Sequence, residues 1–444
     1  MQAGTLTLAG RTIPVGPRAV LAALRAEYDS MSRGLRIWVA ALLVILAIAV
    51  PAALLALPPG WEVMGTTPTF EWGLLIVGYV FFAITTSGLC LASSLGTVFG
   101  IERFRPLEKR HAILAILSLT AAFGIIALDL HYPIRMVFGA VLVPAPSSPM
   151  WWMGVFYGGY LMFLVVEVWS MFFGHPTIHQ VACVASSCMA IAAPATLGAV
   201  FGVLGARPFW HGPFTPVLMV ASAFLSGTAV LAVVFWAVHR FRLAGALRAA
   251  QLALPGLRIL LAIGLVVVGI LVARQLVAGL TGADVRLQVA TKALLVGPLA
   301  IPYLLLRLLL GLALPLVLLV LPMARRPRWI ALAAGLTLQG VFVDRLTFVM
   351  AGQIAPTSGA GVVTAPYSPY LPSPVEVAIV AGAAAFVALA YTLSERYLDL
   401  NESDAHASFP GPAFLAWLRR RFARPEPADQ VPAADLVEPV EVRG

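Results

Sequence analysis

Asp129, His131 and Arg135 surround Pro133 at the end of an apolar run. Pro133 biases Tyr132 away from helical geometry, so Asp129 is predicted in the last turn of a helix, with His131 and Arg135 just beyond it. An acid, an imidazole and a guanidinium in one corner are the residue types that accept and pass on protons. Asp129 could instead pair with Arg135 or simply face water. Nearby in the chain, Glu71, Trp72 and Tyr79 open one apolar run, and Met150 and Trp151 open another after Ser148-Pro149. A second acid, Glu167, precedes His175 by a little over two helical turns. The pair reads either as one end of a proton route or as a structural contact at a helix end.

These residues need elements to hold them, and composition says which. Of 444 residues, 60% are hydrophobic and 11% charged, well below the charged share of about 25% in soluble domains. Apolar runs of about twenty residues recur, each long enough to cross a hydrocarbon core of about 30 Å. Backbone groups in lipid must be satisfied within a helix or a closed barrel, and ten-residue alternation is absent, so the expected fold is an all-α polytopic membrane protein. Spans are predicted near 37–57, 72–99, 112–130, 152–173, 179–204, 215–238, 259–279, 293–321, 330–350 and 374–395. Residues 1–36 form a basic arm and 396–444 a polar tail. The first apolar run begins beyond residue 36 and is long enough to remain as a span, so no cleaved leader is expected.

The net charge of +9 does not indicate nucleic acid, because its distribution follows the membrane. Arginines and lysines concentrate in the arm, the tail and alternate loops, while the opposite side carries only Arg135, Arg207, Arg286 and Lys292. That asymmetry places both termini in the cytoplasm and the Asp129 corner at the outer face. Glu167 lies sixteen residues below Trp151, about 24 Å deeper at 1.5 Å per residue, so it cannot share a pocket with Asp129. Arg274, Asp344 and Arg345 fall in the outer third and Glu376 at the outer edge. Arg274 and Asp344 are expected to neutralise one another. Span eight carries Pro298, Pro302 and Pro315 and should be kinked or broken.

Histidines 111, 131, 175, 179, 211, 239 and 406 all fall at span ends, in loops or in the tail. A membrane haem needs histidines facing the bundle interior, so neither haem nor an iron–sulfur cluster is expected. Cys90, Cys183 and Cys188 lack CxxC spacing and read as small core residues. No metal site is indicated. Redox work by this chain would need electron carriers borrowed from a partner.

Glu71-Trp72-Gly73-Leu74-Leu75-Ile76 with Tyr79, Asp129-Leu130-His131-Tyr132-Pro133-Ile134-Arg135 and Ser148-Pro149-Met150-Trp151 together resemble the NrfD/PsrC family of polysulfide-reductase-type membrane subunits. His131 and Tyr132 replace the Gly-Arg pair common in the family's middle motif. The ten-span length, Asp344-Arg345 and the Pro-Ser-Pro-x-Glu start of span ten resemble the longer branch of HybB-type, DsrP-type and alternative complex III subunits. The resemblance implies two four-helix bundles, over 72–204 and 215–350, flanked by the first and last spans. It also implies a quinone, menaquinone or ubiquinone, reacting near the outer face of a bacterial inner membrane. Electrons would pass to or from a ferredoxin-type iron–sulfur subunit, itself joined to a catalytic redox subunit. On that reading Asp129, His131 and Arg135 form the reactive corner, Glu71, Trp72, Tyr79, Met150 and Trp151 line the quinone, and Glu167 and His175 serve protons from the other side.

A rival reading is a secondary transporter, which intramembrane charges and a broken span eight would also suit. No internal repeat supports it.

Overall fold

The computed structural model describes residues 5–8, 11–14, 29–57, 60–130, 144–241, 247–355, 367, 370–398 and 400. His131, Arg135 and most of the arm and tail lie outside them. Among the described residues ten helices are long and apolar enough to cross a membrane. They are α1 (Arg33–Leu55), α2 (Leu74–Thr97), α3 (Glu108–Asp129), α4 (Pro149–Phe173), α5 (Pro176–Gly202), α6 (Phe214–Phe241), α7 (Leu247–Thr281), α9 (Ile301–Val320), α10 (Pro327–Ile354) and α11 (Pro374–Tyr397). The shorter α8 (Val285–Leu295) precedes α9. The chain is an all-α polytopic membrane protein; among the described residues its one departure is a short antiparallel hairpin in the arm, Thr5–Leu8 with Arg11–Pro14.

Helix boundaries follow the local chemistry. Ser148 and Ser373 each precede a proline at the first helical position, where its missing N–H is no loss. Ser373 and Glu376 complete a capping box at the start of α11. Gly174, with φ of 74°, closes α4 in the left-handed conformation open to glycine. The single long span expected over 293–321 is instead two helices separated by a turn at Val296 and Gly297. Beyond that turn Ile301–Ala313 winds as a π-helix, with Leu314 N–H bonding to Leu309 O. Pro315, which offers no N–H, stands directly after this wider winding. The break expected from the prolines therefore takes the form of a split helix and a rewound one.

Helix α2 is the central element and the most buried of the spans. Together α2, α3, α4 and α5 pack into one four-helix group, while α6 and α10 join α2 to the helices that follow. At the edge, α1 pairs with α11, and α11 also rests on α3. Exposed side chains such as Ile37, Val44 and Ile48 on α1 suit a lipid-facing surface. Small residues permit the closest crossing: Gly88 of α2 meets Gly227 of α6, and a Cβ on either would overlap the other helix's backbone. Gly227→Val is expected to lower stability by about 1–3 kcal/mol through overpacking, read as an earlier thermal transition of the purified protein.

Candidate functional site

The two ends of the bundle carry different chemistry. At one end, α3 finishes at Asp129 and α11 begins near Glu376. Gly78 of α2 fixes their approach, because the space beside its Cα is filled by Ile125 of α3 and Val380 of α11. One turn further along each helix lie Asp129 and Glu376, and the two carboxylates interact electrostatically. Asp129 is half-buried and has no side-chain hydrogen bond among the described residues.

Glu376 is the opposite case, fully buried and satisfied. Its Oε2 accepts from the backbone N–H groups of Gly65, at 3.0 Å, and Ser373, at 2.8 Å. Its Oε1 accepts from the Tyr370 hydroxyl at 3.0 Å and from Leu74 N–H at 3.3 Å. Tyr370 in turn accepts from Leu74 N–H at 2.6 Å and stacks on Phe70 with ring centres 4.6 Å apart. Burial pushes the Tyr370 hydroxyl up, and the Glu376 charge adds to the shift, so it stays a proton donor at neutral pH. Glu376 thus anchors the entrance to α2, and Asp129 beside it is, among the described residues, the acid left without a hydrogen bond.

Trp72 closes the other side of this end. The Gln353 side chain donates to Trp72 O and accepts from Trp72 N–H, both at 3.0 Å, which pins the extended segment before α2. The Trp72 ring stacks on Trp210 at 4.9 Å and meets Phe201 edge-on at 5.1 Å. Trp210 lies against Gly352 and donates to Phe348 O at 2.8 Å. Glu71 is exposed, and its charge acts on Arg207, whose pKa burial lowers. Trp151 is half-buried at the start of α4, whereas Met150 is 59% exposed. Asp129, Trp72 and Trp151 therefore gather at one end, with Met150 on its surface.

Tyr79 lies deeper and leads into a polar line through the first four-helix group. Its hydroxyl donates to Met153 Sδ at 3.4 Å. The Tyr157 hydroxyl follows, buried and near Tyr79 and Ser87. Tyr160 donates to Thr86 O at 2.9 Å and adjoins Cys90. Glu167 comes next, 1% exposed, with Oε2 accepting from Ser186 at 2.9 Å and Oε1 lying 3.2 Å from His111 Nε2. The line ends at the far end of the bundle, where His179 bonds to Glu108 and its other nitrogen lies 3.3 Å from Glu167 O.

Sequence spacing links Glu167 to His175, but the structure separates them. His175 is exposed at the start of α5 and stacks on Trp169 at 5.0 Å. The buried partner is His111, which begins the interior stripe of α3 rather than lying idle at a span end. His111 and Asp129 are 18 residues apart, about five turns, so they occupy one face of α3 at opposite ends. On α4, Met153, Tyr157, Tyr160, Leu164 and Glu167 recur at three- and four-residue steps on its inward face. That periodicity could have found the line.

A second buried charge group sits among α6, α9 and α10. Asp344 pairs with both Arg307, on the π-helical turns, and Arg345. Arg345 also donates to Ser222 at 3.0 Å and touches Met219. The expected Arg274–Asp344 pair does not form: Arg274 is exposed and lies over the Phe214 ring, 4.3 Å from its centre. Arg307, which projects inward from the wound region of α9, takes that place.

With this geometry in place, comparison with known proteins is decisive on the family. The model for polysulphide reductase, NrfD, matches residues 62–357, which takes in both ends of the bundle and both buried charge groups. The chain belongs to the NrfD family. Among its relatives, this NrfD family chain is similar to a selenate reductase subunit of Mesobacillus selenatarsenatis, 24% identical over 42% of this chain and 53% of that protein. The Hdr-like menaquinol oxidoreductase integral membrane subunit of Archaeoglobus fulgidus is 23% identical over 40% of this chain and 45% of its own length. The match thus spans about half the length of each relative.

Proposed function

We propose that this chain is the quinone-reactive membrane subunit of a multisubunit respiratory oxidoreductase in a bacterial cytoplasmic membrane. The observation that carries the reading is Asp129, a half-buried acid without a hydrogen bond among the described residues, set beside the fully satisfied Glu376 and Tyr370. Quinol oxidation releases two protons with two electrons, and the reverse reaction takes them up, so a quinone pocket needs a free acid beside the ring oxygens. Asp129 fills that role, with His131 and Arg135 adjacent in sequence. Trp72 and Trp151 offer the apolar wall that holds a ring. The names of the selenate reductase and menaquinol oxidoreductase relatives support the same assignment.

Electrons then pass between the quinone and an iron–sulfur subunit docked over the Asp129 end, and from there a catalytic subunit completes the complex. The positive-inside distribution supports placing that end outside, with both termini in the cytoplasm. The polar line from Tyr79 to Glu108 provides a route for protons between the pocket and the cytoplasmic side. Tyr157, Ser87 and His111 along it carry buried polar atoms that a bridging water would join.

Asp129→Asn tests the site. The complex should assemble with its partner subunits retained, while quinone-linked electron transfer falls about 100-fold, in the range of a lost general base. Unchanged turnover in an assembled complex would remove Asp129 from the reaction.

A further inference from the structure

Glu108, His179 and Cys183 meet where α3 and α5 begin. Glu108 opens α3, and His179 and Cys183 stand one turn apart on α5. One donor atom from each lies within 4.8 Å of the other two. Exposure falls inward, from side-chain values of 32% at Glu108 and 18% at His179 to a buried Cys183. A hard ligand therefore stands at the mouth and a soft one at the base.

The histidine is held as a ligand histidine is held. His179 Nδ1 lies 3.3 Å from Glu167 O and 3.4 Å from Ser170 Oγ, and the Ser170 hydroxyl already donates to the same carbonyl at 2.9 Å. A carbonyl only accepts, so the proton is fixed on Nδ1 and Nε2 turns toward Glu108 and Cys183. Metal-bound histidines are oriented by this kind of bond from their second nitrogen. Nε2 is 3.4 Å from Cys183 Sγ. Zinc bonds of about 2.3 Å to sulfur and about 2.0 Å to nitrogen, at a tetrahedral angle, put those two atoms about 3.5 Å apart.

The contact with Glu108 points the same way. A carboxylate has no proton to give, so the bond to Nε2 needs a proton between the two. A divalent cation takes that proton's place only if Glu108 draws back, because bonds of about 2.0 Å to nitrogen and oxygen hold the two atoms about 3.3 Å apart, wider than a hydrogen bond.

The geometry points to a zinc-class metal site formed by Glu108 Oε1, His179 Nε2 and Cys183 Sγ, with a fourth position open to water. Nitrogen, oxygen and thiolate together favour zinc over magnesium or calcium. Binding releases protons, because the thiol and the imidazole must both be unprotonated at the metal. An ion here would also close the Glu108 end of the proton route; that consequence rests on the proposed function, whereas binding does not.

Cobalt reports such a site directly. The full chain, purified in detergent and stripped with a chelator, is titrated with Co²⁺. A thiolate-to-cobalt charge-transfer band with tetrahedral-type visible absorption should appear, and Zn²⁺ should abolish it. Cys183→Ser and Cys183→Ala should lose the charge-transfer band, while Cys188→Ser, at an exposed thiol, should keep it. Glu108→Gln should weaken Co²⁺ binding about tenfold or more. Absence of the band in the unaltered chain, or a band that survives Cys183→Ala, overturns the site. Neither readout uses quinone turnover, so failure here leaves the proposed function standing, and the reverse also holds.

Discussion

Replacing Asp344 with leucine is expected to destabilise the protein by about 3–5 kcal/mol, the range seen when one partner of a buried ion pair is removed. The group holds two guanidinium ions, Arg307 and Arg345, and one carboxylate, so its net charge is one positive unit, and removal of Asp344 makes it two. Arginine cannot shed its proton to escape the penalty. Arg345 is fully buried, and its Nε has no partner among the described residues even with Asp344 present. What remains for it is Ser222, Met219 and the face of Phe348. Arg307, on wider π-helical turns, would be left with the Tyr303 ring, 5.8 Å away.

Thermal unfolding in lipid nanodiscs measures the loss, and a double variant identifies its cause. Arg307→Leu together with Asp344→Leu returns the net charge to one positive unit, so the double variant should be more stable than Asp344→Leu alone. Equal loss in both would mean that packing, and not charge, sets the effect. The same pairing explains why Arg307 sits on rewound turns: a π-helical segment shifts the register of side chains relative to an α-helix, and here it presents Arg307 to α10.

How much of this was legible differs between fold and site, for a physical reason. Apolar runs announce membrane helices because lipid demands length and hydrophobicity over a contiguous stretch, and every predicted span but the eighth falls on a single helix. In span eight the prolines announced a break but not its place: the backbone turns at Val296 and Gly297, between α8 and α9, inside the predicted run. Asp129 was legible from Pro133, a local signal. Its neighbours Glu376 and Tyr370, and the Gln353 that pins Trp72, come from late in the chain, and Gln353 lies past the predicted end of its span. The partner of Glu167 shows the same limit. His175 is eight residues away and exposed, whereas His111 is 56 residues away and in contact. Tertiary packing of α3 against α4 chose between them, and only the shared face of His111 and Asp129 hinted at it.

Glu167 yields the second large effect, and its two substitutions separate structure from proton transfer. Glu167→Leu strips His111 of its carboxylate and Ser186 of one of its two acceptors, with Cys183 O remaining, a loss of up to about 3–5 kcal/mol. Because histidine, unlike arginine, can give up its proton, the loss should fall below that of Asp344→Leu. Combined with His111→Leu it should shrink further, since replacing both partners by apolar groups is often near neutral. Glu167→Gln keeps shape and the bond from Ser186 but cannot carry a proton. In the proposed route it should leave the complex folded and quinone chemistry at Asp129 running, while protons taken up from the cytoplasmic side per electron fall toward zero. A pH-sensitive dye inside proteoliposomes, read against electron transfer in the same sample, gives that ratio. An unchanged ratio in Glu167→Gln would leave Glu167 and His111 as a structural pair, with protons exchanging only at the Asp129 end.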